Sequence, residues 1–313
     1  MRHRAIVLVL TIVAWTIGST IGSAPSRSSV AAAAILVGKP GVHFAPELPG
    51  KRTITILAVG SDARPGGNPL RSRADSLHLI FLDPGNGHAV LVGIPRDSWV
   101  PIPGHGSNKI NAAMAVGGPQ LLVQTVEHAF GARIDYWAVA SFWGLTRMVG
   151  DVGGLQVRIP FRMKDSASGS DFRPGLRRLR GYEVLAFARD RHSVPGGDFG
   201  RQENGGRVFL AALNDFQHDF REDPAKLLTW IGAGTRNLAT DLPIGELIDL
   251  GLGVTSVKLA HVRNVVFPGG TGSVGGSSVV FLSMSAARRI VADARADGAL
   301  RPANVPRSPT GHR

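Results

Sequence analysis

Short runs of β-branched and aliphatic residues alternate with segments of helical period along most of this chain, and that alternation limits the fold more than any other feature. Thr53–Val59, Leu77–Leu82 and Ala89–Ile94 read as strands. The segment Pro119–Phe130 reads as a helix, with proline in its first turn and Leu122, Val126, Ala129 and Phe130 on one stripe. Tyr136–Ala140, a helix over Phe142–Val149 and Leu155–Pro160 continue the alternation. Further helices are expected over Tyr182–Ala188, Gly206–Phe220, Pro224–Ile231, Pro243–Leu252 and Ser285–Ala296, with strands starting at Val262 and Ser278. This order predicts an α/β fold, a three-layer α/β/α single domain around a mixed central sheet. In such sheets ligands collect where strands run out into loops.

The two ends read differently. Arg2 and Arg4 precede an uncharged apolar run from Ala5 to Ile21, a helix of about 26 Å at 1.5 Å per residue. Residues 1–24 are therefore expected to form an N-terminal transmembrane anchor, single-pass, with the rest of the chain extracytoplasmic. The small residues Gly22, Ser23 and Ala24 leave a cleaved signal peptide as the alternative. Residues 25–51, rich in Ser, Ala, Gly and Pro, read as a linker. The domain proper is expected over 52–300, and the basic, proline-containing stretch 301–313 as a disordered tail.

Composition removes several kinds of chemistry. The chain has no cysteine, so disulfides, thiolate metal sites and thiol nucleophiles are excluded. It has no phosphate-binding GxxxxGK[ST] loop, no HExxH, no GxSxG and no dinucleotide fingerprint. The formal net charge is +12, but the basic residues are dispersed and no nucleic-acid-binding motif accompanies them. Lipid phosphates, anionic head groups and anionic wall polymer fit an exported basic domain better than nucleic acid does.

Five segments carry arginines and aspartates on turns: Val59–Pro65, Arg71–Pro84, Ile94–Pro119, Val184–His192 and Gly197–Glu203. The longest, IPRDSWVPIPGHGSNKINAAMAVGGP, is too irregular for an amphipathic helix and too polar for a core strand, so it reads as an ordered functional loop. Asp62 and Asp75 flank neighbouring strands and are the best carboxylate ligands for a hard divalent cation such as Mg2+. Arg73, Arg96, Arg189, Arg191 and Arg201 suit bidentate hydrogen bonding to phosphoryl oxygens. Arg96, Asp75 and Asp97 are the candidate catalytic residues, with Asp75 or Asp97 as acceptor of a proton.

In this order the segments GSDAR, RADS, IPRDSWVPIPGHGSNKINAA, FARDRH and GDFGR resemble those of the LytR-CpsA-Psr proteins of the bacterial envelope. The resemblance runs from about Arg52 to Leu300. It implies a magnesium-dependent phosphotransferase that moves a glycopolymer from a polyprenyl pyrophosphate carrier to peptidoglycan in cell wall assembly. It also implies Asp62 and Asp75 near the metal, and Arg73, Arg96, Arg189, Arg191 and Arg201 around the pyrophosphate. A lipid pyrophosphatase and a noncatalytic regulatory module are the alternatives. The chain departs from the family where an Arg followed by two Gln is usual: it has Asn204, Gly205 and Gly206, with Arg207 beyond.

Overall fold

The computed structural model describes residues 53–311. The expected anchor and linker lie outside them, and among the described residues no helix is long and apolar enough to cross a membrane.

Strands β1 (Ile54–Ser61), β2 (Ala74–Asp83) and β3 (His88–Gly93) form an antiparallel meander. A short hairpin follows, β4 (Trp99–Pro101) with β5 (Ser107–Lys109), and then helix α1 (Ala112–Phe130). Strand β6 (Tyr136–Ser141) returns parallel to β1 and leads directly into α2 (Phe142–Asp151). The Ser141 hydroxyl accepts from Gly144 N at 3.0 Å and so caps α2.

The chain then leaves the sheet. Strand β7 (Leu155–Ile159) pairs only with β10 (Gly175–Leu179), and between them lies a smaller hairpin, β8 (Met163–Asp165) with β9 (Ser170–Phe172). Helices α3 (Gly181–Arg189), α4 (Asp198–Glu222) and α5 (Lys226–Asn237) follow, then β11 (Leu238–Thr240) and α6 (Ile244–Val254). Strand β12 (Val262–Val266) joins β3 in parallel, β13 (Gly269–Val274) and β14 (Ser277–Leu282) make a last hairpin, and α7 (Met284–Asp297) closes the domain. The central sheet runs β11-β6-β1-β2-β3-β12 and is mixed, as the alternating pattern requires.

Its two faces are unequally filled. Leu57, Val59, Leu79 and Val92 pack with Met114, Leu122 and Val126 of α1 and Ile290 of α7 in one large core, all of them buried. On the opposite face Leu82 and Leu91 meet Phe209, Leu210 and Leu213 of α4 and Leu250 and Val254 of α6. There Ile56, Ala58 and Ile80 are only half-buried, and so are Leu247, Ile248, Leu250, Leu252 and Val254 of α6. These residues of β1, β2 and α6 thus keep apolar surface in contact with solvent.

Helix α1 contains the expected helix from Pro119 to Phe130, preceded by a further stretch from Ala112, the two separated by a kink at Gly118, whose φ of +72° and ψ of −166° are not helical. Two expectations are corrected. Helix α4 starts at Asp198, eight residues before the expected start at Gly206, and so takes in GDFGR apart from its first glycine. Gly205 and Gly206 are packing residues: a Cβ at Gly205 would lie 2.6 Å from His78 Cε1, and one at Gly206 would collide with Asn264. The segment from Arg301, expected to be disordered, lies against the domain as far as residue 311. Ser308 Oγ and Thr310 N and Oγ1 donate to Glu203 at 2.8, 3.1 and 2.9 Å, and three such donors on one buried carboxylate outweigh a disordering composition.

Candidate functional site

The end of β1, the start of β2 and the end of β3 lie at one edge of the sheet because the three strands are antiparallel neighbours. A register shift at Gly60/Ser61 sets Ser61 opposite Ala74. Asp62 and Arg73 then face each other: Asp62 N donates to Arg73 O at 3.1 Å, and Arg73 N donates to Asp62 Oδ1 at 3.0 Å. Asp75 therefore lies inside the first turn of pairing of β2, not on a loop, and is mostly buried.

The segment after β3 is fixed through its backbone. Ser98 N and Oγ donate to Pro95 O, Asn111 N donates to Arg96 O at 3.2 Å, Ile110 N to Ser98 O at 2.8 Å and Val280 N to Asp97 O at 2.9 Å. This stretch is thus held from both sides, which fits an ordered functional loop. It aims Arg96 at the start of β2.

There the Arg96 guanidinium pairs with Asp75, with its Nε 3.9 Å from both Asp97 Oδ2 and Asp198 Oδ1. Arg201 reaches the same two carboxylates: Nη2 is 2.7 Å from Asp198 Oδ1, Nη1 is 3.9 Å from Asp75 Oδ2, and Nη1 donates to Asp75 O at 2.7 Å. Lys109 Nζ lies 3.1 Å from Asp97 Oδ1. Three cations and three carboxylates alternate around one point. Burial alone lowers the Arg96 pKa, but Asp75, then Asp198 and Asp97, more than offset it and hold the guanidinium charged.

The network is not fully satisfied. Arg96 Nε and Asp198 Oδ2 are buried without a hydrogen-bond partner. Unspent donor and acceptor capacity beside each other is what a site for a phosphate with its counter-cation presents. Among the described residues no group of three or more His, Cys or acidic side chains forms a metal cage. Magnesium does not need one, since it is commonly held by one or two carboxylates with water and phosphate oxygens.

Arg189 and Arg191 take no part in these ion pairs. Arg189 ends α3 and lays its guanidinium 4.9 Å from the centroid of the Phe142 ring. Arg191 is exposed on the following turn. Between them Asp190 is fully buried and accepts from Ser170 Oγ and Ser193 Oγ, each at 2.5 Å, which fixes the turn.

Asp198 and Lys109 complete the network and were not singled out by sequence reasoning. Asp198 carried a usable signal, an i,i+3 spacing to Arg201, but only once the helix is known to begin there. Beyond it, Asn204 is buried, and Arg207 donates to Asn204 Oδ1 at 2.7 Å and to Glu203 Oε1 at 2.8 Å. His78, fully buried, stands beside Gly205 with Nε2 2.9 Å from Gln202 O. The imidazole thus occupies the ground next to a position where the family usually has a glutamine side chain.

The chain is similar to known proteins in sequence and in fold. The family model described as LytR_cpsA_psr family matches residues 28–295. The regulatory protein MsrR of Staphylococcus aureus (strain COL) is 37% identical over 218 residues, 69% of this chain and 64% of that protein. The polyisoprenyl-teichoic acid--peptidoglycan teichoic acid transferase TagU of Bacillus mycoides (strain KBAB4) is 38% identical over 161 residues, 51% of each. The chain thus spans a little under two thirds of MsrR and half of that TagU. Among solved structures, B. subtilis TagV superposes with a TM-score of 0.67 at 26% identity, over 80% of this chain and 99% of TagV. TagT bound to LI-WTA gives 0.65 at 25%, over 80% and 92%.

Proposed function

The chain belongs to the LytR_cpsA_psr family, and from that membership we propose that it is an extracytoplasmic transferase that attaches a glycopolymer to peptidoglycan during cell wall assembly. The observation that carries the reading is the network of Arg96, Arg201 and Lys109 with Asp75, Asp97 and Asp198 at one edge of the central sheet. Homologues whose names describe teichoic acid transfer to peptidoglycan support it.

The donor we propose is a polyprenyl pyrophosphate-linked glycan at a membrane. Its apolar chain would lie against the half-buried apolar residues Ile56, Ala58 and Ile80 and the leucines of α6. Its diphosphate suits the arginines at the edge. Arg96 and Arg201 would gain bonds to phosphoryl oxygens as charge moves onto the leaving phosphate, the main source of rate in phosphoryl transfer. Arg73, Arg189 and Arg191 would line the approach.

An acceptor sugar hydroxyl attacks phosphorus, a phosphodiester forms, and the bond to polyprenyl phosphate breaks. The hydroxyl proton goes to a carboxylate, Asp97 or Asp75. Asp97 is the more exposed of the two, with Lys109 beside it. The network is neutral as it stands, so an incoming diphosphate must displace carboxylates from the guanidiniums. A divalent cation would relieve that competition by neutralising those carboxylates, and magnesium held by Asp62 and Asp75, with Asp198 adjacent, is our assignment.

The test is an assay of the full chain with lipid-linked glycan, peptidoglycan acceptor and Mg2+. Acceptor-linked product is expected, and the Asp62→Asn, Asp75→Asn double variant should lose it while keeping its fold. Release of free glycan phosphate alone would replace transfer by hydrolysis, and full activity of the double variant would remove the metal assignment.

A further inference from the structure

Away from the acid–base network, residues 156–183 carry seven cations, Arg158, Arg162, Lys164, Arg173, Arg177, Arg178 and Arg180, against three carboxylates. The carboxylates are largely spoken for. Asp171 pairs with Arg162, Glu183 accepts from Arg180 N at 2.8 Å, and buried Asp165 lies 3.0 Å from His192 Nδ1. Arg178 Nη1 lies 3.6 Å from Asp215 Oδ2, and the β7–β10 hairpin still faces solvent with a net positive charge. A groove of about 620 Å³ runs across it, lined by Arg173, Arg177 and Arg178 with Asp171, Leu176 and Glu183.

The same face exposes apolar side chains that a purely ionic surface does not need. Leu176 is 57% exposed and stands directly across the hairpin from exposed Arg158. Tyr182, one residue from Glu183 in the groove wall, is 62% exposed, and Trp143 of α2 is 41% exposed. Their rings meet edge to face at 5.7 Å. Leu176 on β10 lines the groove together with Glu183, whose chain neighbour Tyr182 on α3 meets Trp143 of α2.

We infer that this face docks on the surface of an anionic lipid bilayer, with Leu176, Tyr182 and Trp143 at the head-group level and the arginines on lipid phosphates. Two features favour a bilayer over an anionic polymer. Amphipathic aromatic rings partition to the head-group region, and a water-soluble polyanion gains nothing from an exposed leucine between arginines. Basic clusters next to a membrane add affinity residue by residue and are screened by salt. Helix α3 begins in this patch and ends at Arg189, six residues and roughly 9 Å along the axis from Glu183. Docking would thus fix the orientation of the site over the membrane without relying on any segment outside the domain. It does not depend on the transfer chemistry proposed above.

The absence of cysteine allows a single reporter. The full chain with Leu176→Cys, carrying a polarity-sensitive fluorophore, is mixed with vesicles of zwitterionic phospholipid with or without about a third of anionic phospholipid. We expect the probe to move to an apolar environment and become shielded from an aqueous quencher on the anionic vesicles only, and to return to water in high salt. A probe at Ser273→Cys, in the β13–β14 hairpin, should stay aqueous throughout. Arg173→Glu with Arg177→Glu should lower the shielded fraction roughly tenfold or more, with unchanged circular dichroism. A probe at 176 that stays as exposed as the one at 273 on every vesicle would overturn the inference. So would shielding produced by soluble peptidoglycan fragments and not by vesicles.

Discussion

Arg96 meets Asp75 directly and Asp97 and Asp198 at 3.9 Å, so its guanidinium is both positioned and kept charged by groups that a substrate phosphate must outcompete. Arg96→Ala should lower the rate of glycan transfer by about 10²-fold or more, and Arg96→Lys should not restore it, because an ammonium lacks the planar fork. Single-turnover rates with lipid-linked substrate test both, and a wild-type rate for Arg96→Ala would refute the assignment. His78 works by staying neutral. Burial, aided by the Arg201 charge and opposed by the Gln202 carbonyl, pushes its pKa down to about 4 from 6.5. As pH falls through that window the unfolded chain takes up a proton that the folded chain refuses, so stability declines, by up to about 3 kcal/mol. Urea midpoints at pH 7 and pH 4.5 should separate by less in His78→Gln than in the wild type, and equal separations would count against this role.

The first half of α4 holds Asp198 and Arg201 at the site because the helix lies unusually near the sheet. Gly205 and Gly206 allow that approach, with His78 of β2 and Asn264 of β12 in the places a side chain would need. Gly206→Ala should therefore cost about 1–3 kcal/mol despite the better helix propensity of alanine. Asn264→Ala in the same chain should recover part of that loss, and thermal unfolding of the two variants decides it. If Gly206→Ala is stabilising, the packing argument fails. This element also marks the limit of what sequence could tell. The strands were legible because each is a short apolar run, and Arg96 and Asp97 as site candidates because they directly follow one of those strands. Asp198 was not, because its helix begins eight residues before Gly206, where the apolar helical period sets in, and the intervening glycine-containing stretch reads locally as a loop. Its reason is tertiary, the closeness of β2 and β12. Strand β7 was likewise readable, but its pairing with β10 away from the main sheet was not, since an alternating pattern does not name its partner.

Across the whole molecule, the last described segment returns to the middle of α4. Glu203 is 4% exposed, and its carboxylate accepts from Ser308 Oγ, Thr310 N and Thr310 Oγ1, with Arg207 bound to both Glu203 and Thr310. Pro309 meanwhile packs at Gly196, just ahead of Asp198. The chain's two distant parts thus share one buried charge, and α4 is held at the sheet from above as well as below. Ending the chain after Asn304 would leave Glu203 facing Arg207 with its other bonds unmade, which should cost about 2–4 kcal/mol. The loss should come from the stranded carboxylate more than from lost contact area. Glu203→Gln in the shortened chain should then return part of the stability, whereas the same change in the full chain should be destabilising. Calorimetric unfolding of the four proteins gives the coupling directly, and purely additive effects would show that residues 305–311 rest on α4 without securing it.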